Sequence, residues 1–496
     1  MLLHQFLDHT AARLPTKTAL VCGDARYSYA DLHARVDQMA AALQQRGIHR
    51  GERVALFMDN TVEMVVGIFA ALKAGAVFMP INPLTKQDKL SYLLNDSRAS
   101  ALITQASLAA IFQPALAHNT SVHTTFDGQG PPVASDTAAC RDPGLIDQDL
   151  ASIIYTSGST GEPKGVMLSH LNMVSANRSV SAYLGLTEHD IILCALPLAF
   201  DYGLYQVLMG FAVGATIVLE RSFTFPVKVL EVMARERVTV FPGVPTMFTM
   251  LMNLKTLAEY DLASLRMITN TAAALPQERI RQLRGLFPQA ELFSMYGLTE
   301  CKRVTYLPPD QLDRRPTSVG RGMPNEEVWL VDQAGQRLPN GSTGELVIRG
   351  SHVMRGYWDK PLETAQRLKP GPLPGEWVLY SGDLFRTDAE GYLYFVSRKD
   401  DIIKSRGEKV SPREVENALY ALEGVYEAAV VGVPDDLLGQ AVKAFVVLKP
   451  EVALSEREVI KHCLGHLESF MAPKYVEFVA SLPTTDTGKI KKTGLS

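Results

Sequence analysis

Ala151-Ser-Ile-Ile-Tyr-Thr-Ser-Gly-Ser-Thr-Gly-Glu-Pro-Lys-Gly165 is the stretch on which the reading of this chain turns. Its first five residues, to Tyr155, suit a buried strand, and the next ten are loop formers. Gly158, Gly161 and Gly165 let backbone N–H groups approach an anion. Thr156, Ser157, Ser159 and Thr160 add hydroxyl donors, and Lys164 adds a positive charge. A strand feeding such a loop suits a polyphosphate. It is not the Walker A pattern: counting from Gly158, the place where GxxxxGK needs glycine holds Pro163.

Outward from this loop the chain alternates strand and helix. Ser28-Tyr-Ala-Asp31 has the form of a capping box and predicts a helix to about Arg46, stopped by Gly47. Val54–Met58 reads as a strand, followed by a helix ending near Lys73, then the strand Val77–Ile81. Such alternation implies a mainly parallel sheet with helices on its faces. Residues 128–144 are small, polar and proline-bearing, and read as a connecting loop. The α/β pattern then runs to about Pro308. From Glu327 to Ile348 short alternating strands with the turn Pro339-Asn-Gly341 suggest a small barrel or antiparallel sheet. The last hundred residues carry their own strands (Ala428–Val433, Ala444–Leu448) and helices (Pro412–Ala421, Glu456–His466), enough for a small separate domain.

A chain of 496 residues exceeds what one core supports, so two or more domains are expected. A net charge of -4 gives no basic field for nucleic acid or an anionic membrane. The longest apolar run, Val207–Leu219, is shorter than the ~20 residues a membrane span needs, and reads as core. Five scattered cysteines without metal spacing, and a start lacking a secretory signal, point to a cytoplasmic protein with reduced thiols.

Six motifs occur in order: the loop Tyr155–His170, Met295-Tyr-Gly-Leu-Thr-Glu300, Gly344-Glu-Leu-Val-Ile-Arg-Gly350, Tyr380-Ser-Gly-Asp-Leu384, Ser397-Arg-Lys-Asp-Asp401 with Gly407-Glu-Lys-Val410, and Thr487-Gly-Lys489. Together they resemble the AMP-forming acyl/aminoacyl ligase superfamily: acyl-CoA synthetases, nonribosomal peptide adenylation enzymes and luciferase. The resemblance spans nearly the whole chain. It implies an α/β fold whose large N-terminal part (1–398) holds two α/β sheets and a small β-barrel. A small mobile α+β domain (399–496) would follow, hinged near Asp400. It also implies ATP and Mg²⁺, and a phosphopantetheine thiol as acceptor, on coenzyme A or a carrier protein.

By the same resemblance, Tyr296 stacks on adenine, Thr299 meets the α-phosphate and Glu300 holds Mg²⁺, a hard cation that favours oxygen. Asp383 and Arg398 take the ribose; a carboxylate offers two acceptors to a vicinal diol. Lys489 reaches the substrate carboxylate and the α-phosphate, where charge develops during attack. Gly407 lines the thiol tunnel after the domain swings.

The acid pocket is expected from Asp201, Tyr202, Tyr205, Ile268, Asn270, Met295, Arg303 and Val304. Asp201 falls where amino-acid-activating members keep an aspartate for the substrate ammonium. This favours a small or cyclic, proline-like amino acid loaded on a separate carrier protein. Two alternatives stand beside it: Asp201 held by backbone donors, Lys302 or Arg303 in an acyl-CoA synthetase for a fatty, aryl or alicyclic acid, and, more remotely, a catalytically silent binding module.

Overall fold

The computed structural model describes residues 1–127, 140–157, 163–271, 275, 277–399, 401–405, 408–435, 438–467, 469–484, 490–492 and 494–495. Gly158, Ser159, Thr160, Gly161, Asp400, Gly407 and Lys489, with most of the expected loop 128–144, lie outside them.

Three sheets build the larger part of the chain. One has seven strands, in the order 356–357, 163–169, 150–157, 77–81, 53–57, 101–104, 124–126. Its last five strands are parallel, and the first two pair antiparallel. The second has nine strands, with 291–296, 267–270, 240–243, 191–194, 216–219 and 18–22 parallel at its centre and antiparallel strands at both edges. The third is antiparallel: 326–331, 343–350, 377–387 and 368–370 in order, with 393–398 also on 377–387.

Local chemistry explains where helices begin. The Ser28 side chain accepts from the Asp31 N–H while Asp31 accepts from the Ser28 N–H, so helix Tyr29–Gln45 starts on the predicted capping box. Helix Val62–Lys73 follows strand Arg53–Phe57, capped by Thr61. Val207–Leu219 is interior: it ends helix Asp201–Val213 and continues into strand Thr216–Leu219. Among the described residues no helix is long and apolar enough to cross a membrane.

The C-terminal residues form a fourth sheet, with strands 403–405, 408–410, 425–435, 439–448 and 475–478. Helices Pro412–Tyr420 and Glu456–His466 cover it. Val415, Leu419, Val430, Val446, Val459 and Cys463 gather in a hydrophobic cluster of their own, distinct from the main one. All five cysteines are free thiols.

Candidate active site

Parallel strands leave their carboxyl ends at one edge of a sheet, where ligands of α/β folds bind. Strand Glu291–Tyr296 ends at that edge in Tyr296, and Gly297 to Glu300 make the next turn. Gly297 is required there. A Cβ would sit 2.3 Å from the Lys302 carbonyl oxygen, because the chain doubles back over it.

Tyr296 and Asp383 meet across two sheets. The Tyr296 hydroxyl donates to Asp383 Oδ2 at 2.6 Å, and its ring stands edge-on to Phe385 at 4.8 Å. Strand register sets Asp383 opposite Arg398, whose Nε lies 3.4 Å from Asp383 Oδ1. Burial pushes the Asp383 carboxyl above its ordinary value, against the Tyr296 hydroxyl and Arg398. Oδ1 is buried and accepts no hydrogen bond from the described residues. A buried acceptor of this kind matches a donor supplied by a ligand.

The phosphate-loop strands carry Thr156 opposite Lys164 in an antiparallel hairpin. The Lys164 ammonium lies 5.8 Å over the Tyr357 ring, and the Tyr357 hydroxyl donates to Glu300 Oε1 at 2.7 Å. The Glu300 carbonyl accepts from the Met354 N–H at 2.8 Å. Tyr357 thus joins the predicted phosphate lysine to the predicted metal carboxylate. Sequence reading missed it, because nothing local in Gly356-Tyr-Trp358 signals a partner 57 residues away. Thr299 is half-buried in the turn beside Glu300. No group of three or more His, Cys, Asp or Glu side chains is placed to hold a metal among the described residues. One carboxylate still fits Mg²⁺, which usually takes one or two carboxylates and completes its shell with phosphate oxygens and water.

The predicted acid pocket centres on helix Asp201–Val213. Gly203 lets its first turn lie directly on the preceding loop, since a Cβ there would meet the Pro197 and Leu196 carbonyl oxygens at 2.4 and 2.6 Å. Asn60 fixes that loop, donating to the Leu196 carbonyl and accepting from the Leu198 N–H. Tyr202 and Tyr205 are fully buried. The Tyr202 hydroxyl is engaged with Thr269, 2.8 Å from its carbonyl and 2.6 Å from its hydroxyl. Asn270 ends its strand in the interior, with Ile268 buried two residues earlier, and Val304 is buried too. Met295 Sδ accepts from the Tyr183 hydroxyl at 3.0 Å.

Asp201 has a cation from its own chain beside it. Lys302 Nζ lies 3.6 Å from Asp201 Oδ2 and donates to the Asp201 carbonyl at 2.7 Å. It also sits 4.3 Å over the Tyr205 ring. Lys302 has φ 65°, a left-handed conformation uncommon for a residue with a side chain, and both it and Arg303 are buried. Burial lowers the Lys302 ammonium to about 7, opposed by Asp201. Of the two cations considered as partners for Asp201, the structure pairs Lys302. The Arg303 guanidinium instead lies 4.9 Å over the Tyr202 ring.

Two α/β sheets, an antiparallel sheet and a C-terminal sheet with its own core accompany a tyrosine–aspartate pair at a strand end and the contacts that run from Lys164 through Tyr357 to Glu300. That combination defines an adenylate-forming ligase. Residues 7–358 match the AMP-binding enzyme family, and residues 414–489 match the AMP-binding enzyme C-terminal domain. The chain belongs to this family.

It is 31% identical to a long-chain-fatty-acid–CoA ligase of Bacillus subtilis (strain 168) over 540 aligned residues, covering 99% of this chain and 94% of that protein. It is 33% identical to tyrocidine synthase 2 of Brevibacillus parabrevis, covering 99% of this chain but 14% of that protein. The ATP-bound structure of MatB from Rhodopseudomonas palustris matches it with a TM-score of 0.90 and 31% identity, over 100% of this chain and 98% of that one. The chain is an ATP-dependent, AMP-forming acid–thiol ligase.

Proposed function

We propose that this ligase activates a carboxylic acid lacking an α-ammonium group and passes it to coenzyme A. The observation that carries this reading is the Lys302–Asp201 pair. A buried carboxylate needs a cation, and here the protein supplies one from its own chain. A substrate ammonium at Asp201 would have to compete with Lys302 in the interior. The relative matched along nearly its full length is named as a CoA ligase, which supports coenzyme A as the acceptor.

In this reading Tyr296 lies against adenine, and Asp383 with Arg398 holds the ribose. Thr299 meets the α-phosphate, while Thr156, Ser157, Gly158, Ser159, Thr160, Gly161 and Lys164 hold the outer phosphates. Glu300 would hold Mg²⁺, whose chemistry is to neutralise phosphate charge. A carboxylate oxygen attacks the α-phosphorus and pyrophosphate leaves. The thiol sulfur then attacks the acyl carbon, loses its proton, and AMP leaves. Lys489 serves the first step. A swing about Asp400 then withdraws it and brings Gly407 to the thiol path.

Pyrophosphate release tests this, measured with amino acids and amino-free acids, each with coenzyme A or a pantetheinylated carrier protein. Release with amino-free acids, followed by acyl-CoA formation, is the expected result. Release confined to α-amino acids, lost in Asp201→Ala, would reject the reading and restore the amino-acid alternative. Lys489→Ala is expected to lose adenylation yet keep thiol transfer from a supplied acyl-adenylate. Equal loss of both steps would contradict the two-position scheme.

A further inference from the structure

Arg303 is among the largest fully buried side chains of the chain, at 1% exposure. Among the described residues no carboxylate is ion-paired with it, and its Nε has no hydrogen-bond partner. The Tyr202 ring beneath it is neutral, and the Tyr202 hydroxyl is already engaged with Thr269. The Asp201 carboxylate is paired with Lys302. An arginine keeps its charge in proteins, and an uncompensated buried charge is among the costliest arrangements a fold can hold. Such an arrangement beside residues expected to receive the acid marks the place of an anionic ligand group. The planar guanidinium fork suits a carboxylate, which it can engage with two parallel hydrogen bonds.

We propose that the acid activated here carries a second carboxylate, which Arg303 receives while the first is adenylated. This rests on the reading that the amino-free acid binds beside Tyr202 and Tyr205. Lys302 contributes indirectly: by neutralising Asp201 it leaves the positive charge of Arg303 available to the ligand. Arg303 holds the carboxylate that does not react, so it is a specificity residue. The reacting carboxylate is left to Lys489.

The test compares chain-length-matched mono- and dicarboxylic acids, such as hexanoate with hexanedioate and benzoate with the benzenedicarboxylates, by pyrophosphate release in the wild type, Arg303→Met and Arg303→Lys. The wild type should prefer at least one diacid over its mono-acid by about 100-fold in kcat/KM, since a site built for a polar group discriminates strongly against an analogue lacking it. Arg303→Met should reverse that ratio, and Arg303→Lys should retain part of it. A wild-type preference for mono-acids overturns the proposal and leaves the amino-free reading standing. An equal loss on mono- and diacids in Arg303→Met also overturns it, because that would assign Arg303 to the reacting carboxylate or to the fold. Activity confined to α-amino acids would remove both readings together. The wild-type ratio needs no variant, so an Arg303→Met protein that fails to fold leaves the test intact.

Discussion

The Tyr357 hydroxyl donates a 2.7 Å hydrogen bond to Glu300, while the ring of the same tyrosine faces the Lys164 ammonium at 5.8 Å. One side chain thus couples the two groups expected at the phosphates of ATP. Tyr357 reaches both because strand Gly356–Tyr357 pairs with the strand that carries Lys164. Tyr357→Phe keeps the ring and removes the hydroxyl. A hydrogen bond to a charged group is worth about 1.5–3 kcal/mol, so the Mg²⁺ needed for half-maximal pyrophosphate release should rise at least roughly tenfold. The acid KM should change little. A Mg²⁺ titration of the variant decides this; an unchanged requirement would reduce Tyr357 to packing.

Asp383 is a buried carboxyl with one oxygen on Tyr296 and the other accepting no hydrogen bond among the described residues. Asp383→Asn should raise the ATP KM by about tenfold or more, since an amide offers one acceptor where a ribose diol needs two. Melting should move less, because burial already disfavours the charged form. ATP dependence and thermal melting, measured on one preparation, separate binding from folding.

Lys302 is lowered to about 7 by burial, and the groups facing it are Asp201, Arg303 and the phenols of Tyr202 and Tyr205. Between about 7 and its ordinary 10.5 the folded chain binds fewer protons at this site than the unfolded chain does. Its contribution to stability therefore rises with pH across that window and is flat below it. The double variant Lys302→Met with Asp201→Asn, which leaves neither partner buried alone, should flatten that part of the stability–pH curve. It should also remove the limb near pH 7 from kcat/KM for the acid. Urea unfolding and steady-state rates from pH 6 to 10 check both; a limb that persists would belong to another group.

Gly203→Ala places a methyl group against the Pro197 and Leu196 carbonyls. These are backbone atoms, the Leu196 carbonyl held by Asn60 and the Pro197 carbonyl by the Phe200 N–H, so the helix start must move instead. Overpacking of this kind costs about 1–3 kcal/mol. Because Asp201, Tyr202 and Tyr205 ride on that helix, acid activation should fall further than ATP binding. A fall in melting temperature with an unchanged acid KM would show that the helix start does not set the pocket.

Much of the fold was legible in the sequence because its signals are local. The Ser28–Asp31 box spans three residues, and helix Glu456–His466 appears with the predicted limits. Strands Val425–Asp435 and Gly439–Leu448 run longer than their apolar stretches suggested. Pairing in one hairpin draws in flanking residues that have no strand signal of their own. In the site, the tyrosine, aspartate and arginine expected at the nucleotide were singled out by motif, and the structure brings them together. The partner of Asp201 was left open between Lys302, Arg303 and backbone donors. A contact across 101 residues depends on how a helix start and a strand-end turn meet, which no short pattern encodes.

The sequence by itself determined the alternation of strands and helices, the order of the motifs and the expectation of a phosphate grip at Thr156–Gly165. Each depends on residues near one another in the chain. Only the tertiary structure decided which cation answers Asp201, that Tyr357 joins Lys164 to Glu300, and that Arg303 is buried without a carboxylate partner among the described residues. The physical reason is that a buried charge takes its meaning from its neighbours, and sheet order and close backbone approach at Gly203 and Gly297 choose those neighbours.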